Sequence, residues 1–307
     1  MPVAAQTQPF DQWLAELRRD AARAGVSQQT IGAALNGIGP LQRVIDLDRK
    51  QPEHKITFAQ YRRNVVNQQR IDKGRAMMRT HAAQLAQVER QYGVAPQYII
   101  ALWAIETNFG ANTGGFKVVP ALATLAWEGR RADFFRTELL NALKIIDAGH
   151  IAAGDMKGSW AGAMGQNQFM PSSFLSFAVD GDGDGKRDIW NSRADVFAST
   201  ANYLNKSGWV RGLRWGRQIE LPAGFNLDNA APRLQKPLGE WARLGVRSHG
   251  GAPLPHDDLM AAIVAPDGAQ GPAYLVYENY QTIMKWNRST YFATSVGLLA
   301  DAIASGR

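Results

Sequence analysis

The chain has 307 residues, and its 34 Lys and Arg against 27 Asp and Glu give a formal net charge of +7. Apolar residues make up 45% of the chain and charged residues 20%, which excludes a disordered or fibrous protein. The length suits two domains, and the absence of cysteine excludes thiol catalysis, Cys-ligated zinc and disulfide scaffolding. The positive charge suits any polyanion, whether nucleic acid, anionic lipid or an acidic polymer, and does not select among them.

Helical spacing of apolar residues dominates the N-terminal third of the chain. Gly25 marks the end of a first helix, and Ser27 is placed to cap a second one. The stretch 58–92 shows the same helical spacing of apolar residues. The expected core positions are Phe10, Trp13, Leu14, Leu17, Ala21, Ile31, Ala34, Leu35, Val65, Met78, Leu85 and Val88.

Pro96 is placed to open the next helix, because the first turn of a helix does not need the N–H that proline lacks. After Gly216 the pattern changes to short Ile-, Val-, Leu- and Tyr-rich runs between Pro and Gly, which indicate a small β-rich part. Further helices are expected over 121–127, 132–148 and 194–206 and from residue 280 onward, and strands over 218–221, 260–265 and 273–278.

The sequence carries no signal for export or membrane insertion. Its first ten residues hold no apolar run long enough for a signal peptide, and the longest apolar stretch, 98–105, is too short to span a bilayer. We therefore expect a soluble chain, and any signal or membrane anchor would lie outside this sequence.

One carboxylate follows an apolar helical stripe. Ile99, Leu102, Trp103 and Glu106 fall at positions i, i+3, i+4 and i+7 of one face. Loss of hydration on such a face raises the pKa of a carboxyl group. Cleavage of a glycosidic bond needs a protonated acid near neutral pH, because the leaving oxygen must receive a proton. A helix-end Glu paired with a surface arginine would show the same spacing, so position alone leaves both readings open.

A Gly-rich segment, GSWAGAMGQNQFMPSS, occupies residues 158–173. Its glycines let the backbone approach a ligand closely, and Ser159 and Gln168 supply neutral hydrogen-bonding groups. It lacks the Gly-Lys-Ser/Thr ending of a phosphate-binding loop. Ser172 is placed to cap the helix that follows. Taken alone, the segment is also compatible with a purely structural turn.

Together these two segments resemble the membrane-bound lytic transglycosylase B family of bacterial murein-cleaving enzymes. Residues 106–110 (ETNFG) match the Glu-Thr-x-aromatic-Gly catalytic motif of that family, and residues 162–173 match its second motif. Residues 279–280 (NY) and 286–289 (WNRS) resemble its C-terminal motif. The agreement runs from about Phe10 to Ala304 and extends to Arg130-Arg131 and to an Asp-rich loop at 180.

The resemblance implies a mainly α (α+β) fold, with a lysozyme-like helical catalytic domain, a helical N-terminal domain and a small β-rich insertion. The implied division is a flexible N-terminus at 1–9, an N-terminal domain at 10–95, a catalytic domain at 96–213 and 273–307, and the insertion at 214–272.

The resemblance also implies non-hydrolytic cleavage of the β-1,4 bond between N-acetylmuramic acid and N-acetylglucosamine, with a 1,6-anhydro ring formed on the muramic acid. Glu106 would be the single acid and then base. The implied substrate-binding residues are Ser159, Gln168, Asn279, Tyr280 and Asn287, with Arg130 and Arg131 facing acidic stem peptides unless they are simply solvated. Trp286 and Phe292 stand where the family commonly has tyrosine, and Tyr280 and Tyr291 are the nearby candidates to replace those hydroxyls.

The Asp-rich loop has the spacing of a calcium site. Asp180, Asp182, Asp184 and Asp188 occupy positions 1, 3, 5 and 9 of an EF-hand-like loop, with glycine at position 6. Position 12 is Asn191 rather than glutamate, which removes one charge and weakens binding. We expect a weak, structural Ca²⁺ held by these five side chains and the Lys186 carbonyl. An acidic turn without metal is the alternative.

Two other functions stay open. A hydrolytic muramidase of the same fold would need a second carboxylate, for which Asp133 and Glu138 are the candidates. A non-catalytic peptidoglycan-binding module is disfavoured by the intact Glu106, Ser159 and Gln168. We expect a periplasmic monomer that acts on peptidoglycan glycan strands, needs no cofactor for its chemistry, associates with cell-wall synthesis enzymes and does not bind nucleic acid.

Overall fold

The computed structural model describes residues 8–50, 56–255 and 258–305, so most of the N-terminal segment predicted over 1–9 lies outside it. In chain order the helices are α1 (Phe10–Arg23), α2 (Gln28–Leu35), α3 (Gln42–Arg49), α4 (Phe58–Val65), α5 (Gln68–Thr80), α6 (Ala82–Tyr92), α7 (Pro96–Thr107), α8 (Val118–Glu128), α9 (Ala132–Asp147), α10 (Pro171–Phe177), α11 (Arg193–Lys206), α12 (Leu238–Arg243), α13 (Glu278–Trp286) and α14 (Thr290–Ala304). The strands are β1 (Phe116–Lys117), β2 (Lys157–Gly158), β3 (Gly216–Glu220), β4 (Lys236–Pro237), β5 (Arg247–Ser248), β6 (Met260–Val264) and β7 (Ala273–Val276).

The chain divides into two compact units. The first combines Met1–Glu53 with Glu106–Thr200, and the second combines His54–Ile105 with Ala201–Arg307. Two of these boundaries fall inside α7 and α11, so each of those helices contributes to both units. The predicted division into an N-terminal domain, a catalytic domain and an insertion stays a prediction. None of the helices in the described ranges is long and apolar enough to cross a bilayer.

In the first unit, the predicted N-terminal helices are confirmed. The apolar positions of α1 and α2 that the spacing selected are all buried. Ser27 caps α2, because its Oγ accepts the N–H of Thr30 at 3.2 Å. Helix α8 packs against α9, and β1 pairs antiparallel with β2 so that Phe116 lies opposite Gly158. This pairing places the start of the Gly-rich segment beside the chain that leads into α8.

In the second unit, the stretch 58–92 is three helices rather than one continuous run. Asn67 interrupts it and caps α5 by accepting the N–H of Arg70 at 2.9 Å. Met78, Leu85 and Val88 are buried as predicted, whereas Val65 is only half-buried. Asparagine favours such caps over helix interiors, because its side chain competes for nearby backbone groups.

Helix α7 begins at Pro96, as predicted, but it is not amphipathic. Every residue from Tyr98 to Ala104 is at most 4% exposed, so both faces are buried rather than one apolar stripe. Ile100 of α7 lies near Gly74 of α5, where an added Cβ would be in ordinary contact at 3.6 Å from its Cγ2. The apolar spacing identified one face of this helix and missed the other.

The second unit also holds a five-stranded antiparallel sheet in the order β4-β6-β7-β3-β5. The register places Ala262 opposite Val276, and the buried Trp241 of α12 donates its indole N–H to the Ala261 carbonyl at 2.8 Å. All three predicted strands are present as β3, β6 and β7. The short strands β1, β2, β4 and β5 were missed, because two residues show no alternation. Strand β7 lies beyond residue 272, the predicted end of the insertion.

Trp215 anchors the sheet to the last helix of this unit. It is fully buried, donates its indole N–H to Asp301 at 2.9 Å and donates its backbone N–H to the Tyr98 hydroxyl at 3.1 Å. Its ring lies directly against Gly297 of α14, where an added Cβ would lie 2.6 Å from Cγ of Trp215 and collide with other ring atoms. Only glycine permits this contact.

We therefore predict that Gly297→Ala lowers the free energy of unfolding by about 1–3 kcal/mol, because the extra methyl group overpacks a buried contact. Urea denaturation monitored by circular dichroism measures this loss. The matched control is Gly239→Ala in α12, where no atom lies within 4 Å of the new Cβ. The control should be neutral or slightly stabilising, and an equal loss in both variants would contradict the packing explanation.

Candidate active site

Glu106 lies in the last turn of α7 and is partly exposed, although the preceding part of the helix is buried. The chain then reverses sharply, because Asn108, Phe109 and Gly110 all adopt the left-handed region, with φ of 50°, 61° and 81°. This conformation costs a non-glycine residue about 1–2 kcal/mol, so it persists only where surrounding contacts enforce it. The carboxylate therefore sits at an abrupt and constrained helix end.

Thr107 supplies part of that constraint. It is 1% exposed, donates its hydroxyl to the Gln166 carbonyl at 3.1 Å and accepts the N–H of Gly110 at 3.0 Å. These two bonds join the residue after Glu106 to the Gly-rich segment and close the turn that follows the helix. Neither Thr107 nor Gln166 has a role that is predicted from the sequence.

The Gly-rich segment folds back on itself through bridges from Gly158 to Met164 and from Met164 to Phe169. Ser159 is half-buried, and its Oγ accepts the N–H of Ala163 at 3.0 Å. A Cβ at Gly158 would lie 3.0 Å from the carbonyl carbon of Ala163 and collide with its oxygen. At least this glycine is required for backbone packing within the protein rather than for approach to a ligand.

Gln168 is held in a fixed orientation. Its φ is 51°, and its side-chain amide nitrogen donates to the carbonyls of Thr113 at 3.1 Å and Gly165 at 2.9 Å. An amide has two N–H donors, and both are used by the protein. The side-chain carbonyl oxygen is therefore the group with which this half-buried residue can accept a hydrogen bond from a ligand.

Glu138 and Asp133, the two candidates for a second catalytic carboxylate, differ in their exposure. Glu138 is 3% exposed and accepts both the N–H of Ser172 at 2.8 Å and its hydroxyl at 2.6 Å. It thus stabilises the start of α10, which has Met170 at its cap position, so the prediction that Ser172 caps this helix was wrong. Asp133 is exposed in the first turn of α9. Glu138 has a structural role that competes with any role in catalysis.

Arg130 and Arg131 are both paired with Asp48, whose side chain is 2% exposed. Nε of Arg130 lies 2.9 Å from one carboxylate oxygen, and Nη2 of Arg131 lies 3.1 Å from the other. The guanidinium of Arg131 also stacks 4.8 Å from the Phe135 ring centroid. The two arginines keep exposed surface but have a structural partner that sequence analysis did not anticipate.

The C-terminal motif residues lie in the second unit and are mostly buried. Asn279 is 0% exposed and exchanges hydrogen bonds with the backbone of Val210 at 2.7 and 2.9 Å, and it also donates to Leu213 at 2.6 Å. Tyr280 is equally buried, its hydroxyl lies 3.2 Å from that of Thr294, and burial raises its pKa. Both residues therefore have structural roles here, whereas Asn287 is exposed at the end of α13.

The aromatic residues of this motif pack within the second unit as well. The Trp286 ring lies 4.7 Å from the Tyr203 ring, and Phe292 is 5% exposed. Tyr291 packs against Phe58, with ring centroids 5.4 Å apart. Tyr280 is buried with its hydroxyl 3.2 Å from that of Thr294. That Tyr280 or Tyr291 replaces the missing hydroxyls stays a prediction.

The Asp-rich loop brings together three of the predicted metal ligands. Carboxylate oxygens of Asp180, Asp182 and Asp184 lie within 4.8 Å of one another. Backbone N–H groups, that of Gly185 foremost, hold the pKa of Asp180 below its ordinary value. Convergence of three exposed carboxylates is the arrangement that a hard cation such as Ca²⁺ requires.

Two further predicted ligands, Asp188 and Asn191, are hydrogen-bonded to each other. Asp188 accepts hydrogen bonds from the backbone N–H groups of Trp190 and Asn191, and the Asn191 side chain donates to it at 3.1 Å. Asp195, which the sequence did not single out, is fully buried and accepts the N–H groups of Gly181 at 2.7 Å and Asp188 at 2.5 Å. Burial raises the pKa of Asp195, and its two bonds hold both ends of the loop.

Known proteins share this architecture. Residues 9–301 match the family described as the transglycosylase SLT domain. The chain is 31% identical over 264 residues to membrane-bound lytic murein transglycosylase B of Escherichia coli strain K12, covering 81% of this chain and 68% of that protein. This chain belongs to the transglycosylase SLT family.

Solved structures of similar proteins have the same fold. SltB3 of Pseudomonas aeruginosa in complex with NAG-anhNAM-pentapeptide matches with a TM-score of 0.94 at 44% identity, over 98% of this chain and 81% of that one. The Escherichia coli lytic transglycosylase Slt35 in complex with calcium matches with a TM-score of 0.82 at 28% identity, over 98% and 94%. The predictions of a mainly α, lysozyme-like fold and of a lytic murein transglycosylase are confirmed. The roles of the individual residues stay predictions.

In this transglycosylase, we predict that Asp48→Asn lowers the free energy of unfolding by about 1–3 kcal/mol, because it removes the negative charge and one of the two buried oxygens that pair with Arg130 and Arg131. Chemical denaturation provides the measurement. Asp46→Asn is the matched control, since Asp46 lies on the same helix and is exposed. If Asp48→Asn had the same free energy of unfolding as the control, the pairing of Asp48 with Arg130 and Arg131 would not contribute to stability.

Proposed function

We propose that this enzyme cleaves the β-1,4 bond between N-acetylmuramic acid and N-acetylglucosamine with Glu106 as its single acid and base. As an acid, Glu106 protonates the glycosidic oxygen, and the bond from that oxygen to C1 of the muramic acid breaks. As a carboxylate, it then takes the proton of the muramoyl 6-hydroxyl while that oxygen bonds to C1. The product is a 1,6-anhydro ring, and Glu106 ends protonated for the next turnover.

The observation that carries this proposal is the position of Glu106 at the constrained end of a buried helix, next to a segment of neutral residues. Glycosidases ordinarily place two carboxyl groups about 5–9.5 Å apart across the scissile bond. Glu138, one of the two candidate partners, is used by Ser172 at the start of α10. In this single-carboxylate scheme, the acetamido group of the substrate itself stabilises the positive charge that develops at C1.

We assign substrate contacts to the accessible residues of the predicted set. Ser159 and the carbonyl oxygen of the Gln168 side chain are half-buried and suited to sugar hydroxyl and amide groups, and Asn287 is exposed. The side chains of Arg130 and Arg131 are 42% and 44% exposed, so both can contact acidic stem peptides while they are paired with Asp48. The SltB3 structure was solved with a pentapeptide-bearing sugar, which supports a peptide-reading role. Asn279 and Tyr280 support the fold instead.

We further propose that the Asp-rich loop binds one structural Ca²⁺ through Asp180, Asp182 and Asp184. The three convergent carboxylates fit a hard cation, and Slt35 was solved in complex with calcium. The ion would neutralise the repulsion among these side chains and hold the loop. It takes no part in the chemistry. The Lys186 carbonyl, Asp188 and Asn191 stay predicted ligands.

The proposed setting is the periplasm, where the peptidoglycan substrate is found. The name of the Escherichia coli relative describes it as membrane-bound. A monomeric state and an association with cell-wall synthesis enzymes stay predictions.

We predict that Glu106→Gln abolishes turnover of peptidoglycan sacculi, because an amide neither donates the required proton nor accepts one afterwards. Mass spectrometry of the released muropeptides measures both rate and product. The unaltered enzyme should release products that end in 1,6-anhydromuramic acid. Glu138→Gln and Asp133→Asn are the matched carboxylate controls, and both should give the same anhydro product per folded molecule.

Two outcomes would contradict this scheme. Substantial activity of Glu106→Gln would exclude Glu106 as the single acid and base. Products with a reducing muramic acid end would show that water is the acceptor, and loss of activity in Asp133→Asn or in folded Glu138→Gln would then identify the second carboxylate of a hydrolase.

We predict that Ca²⁺ raises the melting temperature of the unaltered protein in a concentration-dependent way, because a ligand that binds only the folded state stabilises it. Asp182→Asn should remove most of this shift, since it removes one of three converging charges. Asp155→Asn, an exposed acid outside the loop, should retain it. An equal shift in all three proteins, measured by scanning fluorimetry after EDTA treatment, would place the ion elsewhere.

A further inference from the structure

We infer that Gln166 is a positioning residue for Glu106, an assignment that rests on the proposed catalytic role of Glu106. Gln166 is 2% exposed and lies inside the Gly-rich segment. It touches the chain that follows Glu106 in two independent ways, through its backbone carbonyl and through its side chain. It is therefore placed to set the path of that chain without meeting the substrate.

The first contact is the hydrogen bond from the Thr107 hydroxyl to the Gln166 carbonyl at 3.1 Å. The second is steric. The side chain of Gln166 fills the space beside Gly110, where a Cβ would lie 2.8 Å from Cδ of Gln166 and collide with Oε1. The left-handed turn at 108–110 is thus packed directly against this one side chain.

Gln166 is itself firmly anchored at its other side. Its backbone N–H donates to the Ile189 carbonyl at 2.9 Å, and its side-chain amide donates to the Trp190 carbonyl at 2.7 Å. Ile189 and Trp190 directly follow Asp188, whose N–H is held by the buried Asp195. A series of hydrogen bonds therefore connects Asp195, through residues 188–190, to Gln166, whose side chain packs against the turn after Glu106.

A general acid must be held close to its working position, because a displacement of about 1 Å can cost on the order of 100-fold in rate. Glu106 is the last residue but one of α7, so the conformation of 107–110 fixes the direction of its backbone. Two left-handed non-glycine residues at that point would relax without enforced packing. Gln166 supplies that packing, and its bond to the Trp190 carbonyl holds it in place, so we expect loss of this bond to lower kcat rather than to change KM.

The experiment compares Gln166→Met with Asn167→Ala. Methionine keeps the length and approximate volume of glutamine, so the backbone bond from Thr107 and the contact with Gly110 remain. It lacks the amide that bonds to the Trp190 carbonyl, so the variant tests whether this anchor holds the packed side chain in the position that fixes the turn. Asn167 is the matched control, because it is a neighbouring buried amide that instead donates to Val196 at 2.9 Å and to Thr200 at 2.7 Å. Kinetics use anhydromuropeptide release from soluble glycan strands, and thermal unfolding is recorded for each variant.

We expect Gln166→Met to lower kcat by about 10- to 100-fold with KM changed by less than about twofold. The pH profile of kcat should shift as well, since the surroundings of the Glu106 carboxyl change. Asn167→Ala should lose thermal stability but keep the kcat and the pH profile of the unaltered enzyme. Equal kcat losses in both variants would overturn the positioning role, because general destabilisation would explain them.

Thr107 provides a second test that does not depend on the folding of Gln166→Met. Thr107→Val keeps the shape but removes the hydroxyl that reaches Gln166, whereas Thr107→Ser keeps the hydroxyl. We expect a similar loss of kcat in the first variant and rescue in the second. Unchanged kcat in Gln166→Met and Thr107→Val, with Glu106→Gln inactive, would overturn this inference alone. Activity in Glu106→Gln would instead overturn the proposed function.

Discussion

The termination of α7 is the constraint on which the rest of the site depends. Residues 98–104 of this helix are buried on all sides, and Glu106 is partly exposed because the helix ends directly after it. Three successive left-handed residues, 108–110, terminate the helix. Their backbone groups need partners, because an unpaired buried N–H costs about 1–3 kcal/mol. The Thr107 hydroxyl accepts one of them, the N–H of Gly110, and the support behind Gln166 fixes the direction of the turn.

Four acidic residues of the first unit are buried and stabilise the fold. Asp48, Glu128, Glu138 and Asp195 are at most 4% exposed, and each accepts bonds from arginine side chains or from serine and backbone donors. Glu106 differs in being partly exposed at a helix end. The four buried acids are therefore used in structural contacts, whereas Asp133, like Glu106, keeps exposed surface.

The pattern of apolar residues was sufficient to predict most helices, and the β-branched runs predicted β3, β6 and β7. Prediction failed where local pattern carries no information. Strands of two residues such as β4 show no alternation, and the fully buried α7 shows no polar face to reveal its orientation. Ser172 has the chemistry of a helix cap, yet Pro171 starts the helix one residue earlier and Glu138 supplies the stabilising contact.

The sequence by itself determined the identity of the candidate acid, the Gly-rich segment, the acidic loop and the family, because each is a short run of residues in fixed order. Only the tertiary structure decided what their neighbours do. Arg130 and Arg131 meet an aspartate more than 80 positions away, and Asn279 and Tyr280 are buried inside the second unit. Thr107 and Gln166 are 59 positions apart. Such contacts depend on how distant segments pack, and neither periodicity nor residue chemistry encodes that packing locally.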